Sequence, residues 1–226
     1  MNGIYSGKDE GLTVAGNGAP GAAVVGSSIV SFDEGMSAQD REDVYLSNLY
    51  AQLATRSAYK DGLVGNWFDY YTNKLRYLGW DSARPVRPER AVDGSMADSV
   101  SQQISQSLGG QFSLQTNKAL AALKNNHDAL ETFEGASLQS DVGFFQVVPC
   151  ALKSRTRIEI ALYHRQFSTR RTVSRFLFWP MDNIVKTSRE EIAVVTFNTL
   201  HYATFRKKVA AAVVREVTRH LHALDV

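Results

Sequence analysis

Residues 155–163, Arg-Thr-Arg-Ile-Glu-Ile-Ala-Leu-Tyr, decide the fold class. Ile158, Ile160 and Leu162 fall on one side of an extended chain, and Arg157, Glu159 and Tyr163 on the other. A period of two marks a strand with one buried face, because successive side chains of extended backbone point to opposite sides of a sheet. Moving outward, Gly143–Leu152 (Gly-Phe-Phe-Gln-Val-Val-Pro-Cys-Ala-Leu), Val173–Trp179 and Glu191–Phe197 read the same way. Four such runs with short polar joins predict an antiparallel meander over 143–198. A helix is predicted over Thr199–Leu224, where Tyr202, Phe205, Val209, Val213, Val217 and Leu221 make an apolar stripe suited to covering one sheet face.

Upstream the period is helical. Ser37 and Asp40 form a cap pair before Leu46, Leu49, Tyr50 and Leu53, which predicts a helix to about Ser57. Asn66 caps a second, with Trp67, Tyr71, Leu75 and Leu78 as its stripe and Gly79 as its stop. Residues 81–93 carry Pro85 and Pro88 among Arg84, Arg87 and Arg90 and read as an extended basic connector. Ser95 and Asp98 cap a third helix through Leu108, ended by Gly109 and Gly110. Ser113 caps a fourth, with Leu120, Leu123, His127 and Leu130 inward.

The class that follows is α+β: helices over 37–134, packed on the antiparallel meander of 143–198 and closed by a long C-terminal helix over 199–224, one domain across 37–226. Residues 1–36 lie outside it. Residues 1–35 hold 8 of the 16 glycines, and Gly11–Ser31 has neither period, which reads as a flexible Gly/Ala-rich arm.

With 226 residues and 44% hydrophobic content, the chain is long enough to bury a core without metal or disulfide staples. Cys150 is the single cysteine, so no internal disulfide forms. No apolar run reaches the roughly 18 residues that span a bilayer. The first ten residues lack the basic start and apolar centre of an export signal, so the expected location as synthesised is cytoplasmic.

Charge is laid out unevenly. Residues 1–150 hold 11 Lys and Arg against 17 Asp and Glu, whereas 151–226 hold 14 against 6. Arg165, Arg170, Arg171 and Arg175, with Arg206, Lys207, Lys208, Arg215 and Arg219 of the last helix, are the candidates for a basic surface facing an anionic partner such as a lipid headgroup. The competing reading pairs them with the acidic helices of the same chain or of a neighbouring copy. No zinc-finger or RNA-binding signature accompanies them, so nucleic acid is disfavoured as the partner.

Other signatures are thin. Gly16-Asn-Gly-Ala-Pro-Gly21 matches the dinucleotide glycine pattern, but Pro20 and the missing flanking strand and helix argue against one. His127, His164, His201, His220 and His222 show no metal-ligand spacing, and no cofactor is expected. Alternation puts Cys150 on one face with Phe144, Gln146 and Val148. It reads either as an inert buried thiol or as the anchor of a thioester-linked fatty acyl chain, each buried methylene adding about 0.8 kcal/mol.

Several segments together, Asp43–Leu53, Trp67–Tyr71 with Leu78-Gly-Trp80, Gly143–Val147, Phe176–Trp179 and Leu200–Val209, resemble the family of the bacterial virulence factor Evf. The resemblance spans roughly residues 40–224. It implies an α+β fold, no export signal, and a fatty acid carried on a cysteine of the β-rich C-terminal half, which here is Cys150. The expected function is a non-enzymatic, virulence-associated microbial interaction protein engaging a membrane or host partner. The alternative is a self-assembling structural protein that contacts neighbouring copies through residues 1–36 and its oppositely charged faces. A third reading, an enzyme using His164 or His201, needs a pocket of convergent polar groups.

Overall fold

The computed structural model describes residues 21–86, 94–170, 173–180 and 185–226. Among them the strands are β1 (Ala22–Val25), β2 (Ser28–Phe32), β3 (Trp80–Val86), β4 (Leu138–Gln139), β5 (Val142–Ser154), β6 (Arg157–Thr169), β7 (Val185–Asn198) and β8 (Leu221–Leu224). The helices are α1 (Ala38–Lys60), α2 (Trp67–Tyr77), α3 (Met96–Leu108), α4 (Gly110–Asn125), α5 (His127–Ser137), α6 (Thr199–Ala203) and α7 (Arg206–His220). The sheet runs β3-β7-β6-β5-β2-β1-β8, with β4 beside β5. The fold is α+β, and β5-β6-β7 form the expected antiparallel meander.

The caps act as the sequence requires. Ser37 accepts from the Asp40 N–H, Asn66 from those of Phe68 and Asp69, and Ser95 and Asp98 form a reciprocal capping box. The fourth predicted helix is in fact two: α4 starts at Gly110 without a side-chain cap, and Asn126 ends it and caps α5.

Four expectations are corrected. The flexible arm assigned to residues 1–36 is cut short, because β1 and β2 form a hairpin in the interior of the sheet; residues 1–20 lie outside the described residues. Both strands are covered on both faces, so Ala22–Val25 and Ser28–Phe32 carry apolar side chains in both directions and show no alternation to detect. Gly26 turns the hairpin at φ +57°, where an added Cβ would lie 2.6 Å from Gln52 Oε1. Because β2 runs parallel to β5, the sheet is mixed, and α1 to α5 lie in the crossover between them.

The connector expected over 81–93 is edge strand β3 as far as Val86, and the rest lies outside the described residues. Pro85, which has no N–H to donate, is tolerated on such an edge. Val173–Trp179 is a loop. Phe176 and Leu177 plug the core, their N–H groups bonding to Glu134 Oε1 at 2.7 and 2.9 Å. Finally, the long helix over 199–224 breaks at Thr204 and Phe205 into α6 and α7, and Leu221–Leu224 leave it to pair with the open edge of β1.

Both faces of the sheet are buried, not one. Ile158, Ile160 and Leu162 meet α1, α2, α6 and α7, while Ala161, Tyr163 and Phe167 meet α3, α4 and α5. Three layers result, with two apolar cores either side of the sheet.

Candidate functional site

Cys150 sits in the middle of β5, beside Phe32 of β2 and Ile160 of β6 in the ladders. It is fully buried in the core under α1, and its thiol donates to the Val148 carbonyl at 3.4 Å. Burial pushes the thiol pKa well above its ordinary value, and the neighbouring Asp33 carboxylate adds to this. In the closed fold the sulfur is therefore protonated and a poor nucleophile.

Beside it, where β2 ends, is an open cleft of about 560 Å³ between β2, α1, α4 and the terminal Val226. Phe32 is both the ladder neighbour of Cys150 and part of the cleft wall. Leu114 and Val226 add apolar surface, and Arg41 and Lys118 add cations. Asp33 is tied down: it accepts from Gln111 Nε2 at 2.6 Å, from Gln115 Nε2, and from the Leu152 N–H at 3.3 Å. The size is that of a small-ligand site.

A second feature lies under α1 and α2. Tyr71 donates to Asn48 Oδ1 at 2.8 Å, and the two N–H groups of Gln52 Nε2 are shared among Asn48 Oδ1, Ser28 Oγ and the Val25 carbonyl, each 2.9 Å away. Ser27 and Ser28 donate to Gln146 Oε1 at 3.3 and 2.9 Å, which leaves Gln146 Nε2 to donate to His164 Nδ1 at 3.1 Å. His164 lies flat between Trp67 and Phe68, 5.4 and 4.7 Å away. Desolvation, then the charge of Arg189, lowers its pKa to about 3, so it is neutral. The other histidine weighed as a base, His201, is exposed and bonds the Tyr77 carbonyl at 3.2 Å. Sequence reasoning missed this network, although Asn48 and Gln52, one helical turn apart beside Leu49 and Leu53, are the polar signal on α1's inner side.

The basic candidates do not form one surface. Arg165 is 2% exposed and pairs with Glu190 at 3.0 Å and Ser188 at 2.8 Å, so it belongs to the core under α3. Arg206 grips the fully buried Asp43 of α1 with Nε at 2.8 Å and Nη2 at 2.6 Å. Arg175 bonds His127 Nε2 at 2.6 Å, and Arg170 bonds the Val185 carbonyl at 3.3 Å. Arg171 lies outside the described residues. Lys207 and Lys208 are exposed on α7, on the sheet face opposite the one that buries Phe176 beside Arg175. Arg215 and Arg219 are also exposed on α7, Arg219 within 3.9 Å of Glu216.

Among the described residues no helix is long and apolar enough to cross a membrane, and no group of three or more His, Cys, Asp or Glu side chains is placed to hold a metal.

No protein-family model matches the sequence, and no curated protein matches it. Among solved structures, the chain is similar to that of the Evf virulence factor at 13% identity and a TM-score of 0.38, covering 88% of this chain and 84% of that one. It is similar to a delta-endotoxin at 14% identity and a TM-score of 0.39, covering 87% of each. Identity and TM-score at this level establish neither a shared family nor a shared function.

Proposed function

We propose that this is a non-enzymatic interaction protein that engages a membrane, and that it carries a fatty acyl chain as a thioester on Cys150. Its virulence-associated setting rests on the sequence resemblance alone. The observation that supports the acyl reading is the position of the thiol: enclosed in an apolar core, one ladder step from a cleft with apolar and cationic lining. A thioester is neutral, so it escapes the desolvation penalty that the thiolate meets at this position. Burial also keeps water and competing thiols from cleaving it, and the chain's methylenes gain about 0.8 kcal/mol each when enclosed.

Attachment is an acyl transfer. The Cys150 sulfur attacks the carbonyl of an acyl-thioester donor, the donor's sulfur departs, and the thiol proton ends on the departing thiol. Because the closed fold both buries and protonates this sulfur, transfer belongs before α1 packs over the sheet.

Intact mass spectrometry of the protein from the organism that encodes it tests the reading. A fatty acyl increment that neutral hydroxylamine removes, and that is absent from Cys150→Ser, is expected. An unmodified native mass overturns it.

The self-assembly reading is narrowed. Of the expected assembly segment, residues 1–36, Ala22–Val25 and Ser28–Phe32 are already paired along both edges within their own chain and so do not supply contacts to other copies.

A further inference from the structure

The corner where α2 ends and α6 turns into α7 combines exposed apolar side chains with exposed cations. Tyr77 is 65% exposed and Leu200 66%, both far outside the range of core residues. The Tyr77 ring lies 5.0 Å from that of Phe205, which is half-buried. Arg76 precedes Tyr77 on α2, and Lys207 and Lys208 follow Phe205 at the start of α7; all three are exposed. Among the described residues Arg76 hydrogen-bonds only to the neutral Asn73, at 2.9 Å, and neither lysine has an ion-pair partner.

The lysines are not placed for the helix's sake. α7 opens with Arg206, Lys207 and Lys208 and no acidic residue in its first turn, although the positive end of a helix dipole disfavours cations. Arg206 is offset by Asp43; among the described residues no carboxylate forms an ion pair with Lys207 or Lys208. A local rule broken without an internal compensation points to an outside one.

The corner is also preformed. Gly79, at φ +95°, lets the end of α2 abut α6: a Cβ there would lie 2.9 Å from the His201 ring and 3.1 Å from the Asn198 carbonyl. The Asn198 N–H bonds the Gly79 carbonyl at 2.8 Å, and His201 Nε2 meets the Tyr77 carbonyl. Three carboxylates at the start of α1 face this region: Asp43 is engaged by Arg206, and Asp40 and Glu42 lie within electrostatic reach of that pair, while Asp81 is an exposed acid just past Trp80.

We infer that this corner docks on an anionic phospholipid surface, with Tyr77 and Leu200 entering the headgroup layer and Arg76, Lys207 and Lys208 meeting lipid phosphates. Amphipathic rings and cations of this kind settle where apolar and charged surroundings meet. The inference deepens the membrane half of the proposed function and needs no acyl group.

Cys150→Ser protein, which cannot carry a thioester, is co-sedimented with vesicles of phosphatidylcholine alone and of phosphatidylcholine mixed with phosphatidylglycerol. Binding to the anionic vesicles, weakening as salt is raised, is expected, with little binding to the neutral ones. Adding Lys207→Gln and Lys208→Gln should weaken it roughly thirty-fold. Leu200→Ser should weaken it at every salt concentration. Both lysines lie on the surface at a helix end that disfavours them, so a melting curve that is unchanged or slightly raised controls for folding. Equal binding to both vesicle types, no binding to either, or full binding by the corner variants overturns the assignment. Acylated native protein that binds vesicles while the corner variants change nothing would sink the corner and leave the acyl reading standing.

Discussion

At the scale of single residues, two buried titratable groups make opposite demands. Glu134 is 2% exposed, and one of its oxygens holds the Phe176 and Leu177 N–H groups; burial raises its pKa. A neutral side chain of the same shape keeps both bonds, so Glu134→Gln should change stability by less than about 1 kcal/mol. Glu134→Ala strands two buried donors and should lose about 3 kcal/mol in urea unfolding. His164 is held neutral, its pKa lowered from 6.5 to about 3. Between those values the unfolded chain binds a proton that the folded one does not, so this group's contribution is fully present above pH 6.5 and is lost as pH falls toward about 3. His164→Phe keeps the stack but cannot titrate. It should be less stable than the native protein at neutral pH, because Gln146 loses its acceptor, and the gap in melting temperature should shrink on acidification. A gap that is constant with pH would show that His164 does not control the profile.

At the scale of elements, α7 is tied to α1 by the bidentate Arg206 and Asp43 pair. Desolvation raises the Asp43 pKa even though Arg206 opposes it, so the carboxylate depends on its partner. Arg206→Met leaves a buried, unpaired acid and should cost about 3 kcal/mol. Asp43→Asn combined with Arg206→Met should recover part of that loss, since no buried charge then lacks a partner. Equal losses for the single and double variants in urea titrations would mean that the pair is not coupled. The helix starts at Ser37, Asn66 and Ser95 were legible beforehand because a cap works through atoms two or three residues away. The end of α7 was not, because what stops it is the β1 edge, almost two hundred residues earlier in the chain.

At the scale of the whole molecule, the β1–β2 hairpin is what makes one sheet out of several pieces. It joins β5 on one side and β8 on the other, and it supplies Ala23, Val25, Val30 and Phe32 to one core and Ala22, Val24 and Ile29 to the second. Removing residues 1–36 should therefore abolish cooperative thermal unfolding rather than trim a dispensable tail. A truncated protein with the native melting transition would refute this. Phe32 brings the hairpin's end to Cys150, and α1 links the two candidate regions, with Arg41 in the cleft wall and Asp43 on Arg206 at the start of α7.

The sequence by itself determined the class, the caps at Ser37, Asn66 and Ser95, the β5-β6-β7 meander and the face that Cys150 shares with Phe144 and Val148, because all of these follow from contacts a few residues apart or from period two. Tertiary structure alone decided that Ala22–Phe32 are interior strands, that Phe176 plugs a core, and that Arg165 and Arg206 are paired while Lys207 and Lys208 have no ion-pair partner among the described residues. A side chain's partner depends on which distant segments the crossover brings alongside it, and a strand buried on both faces carries no period to read.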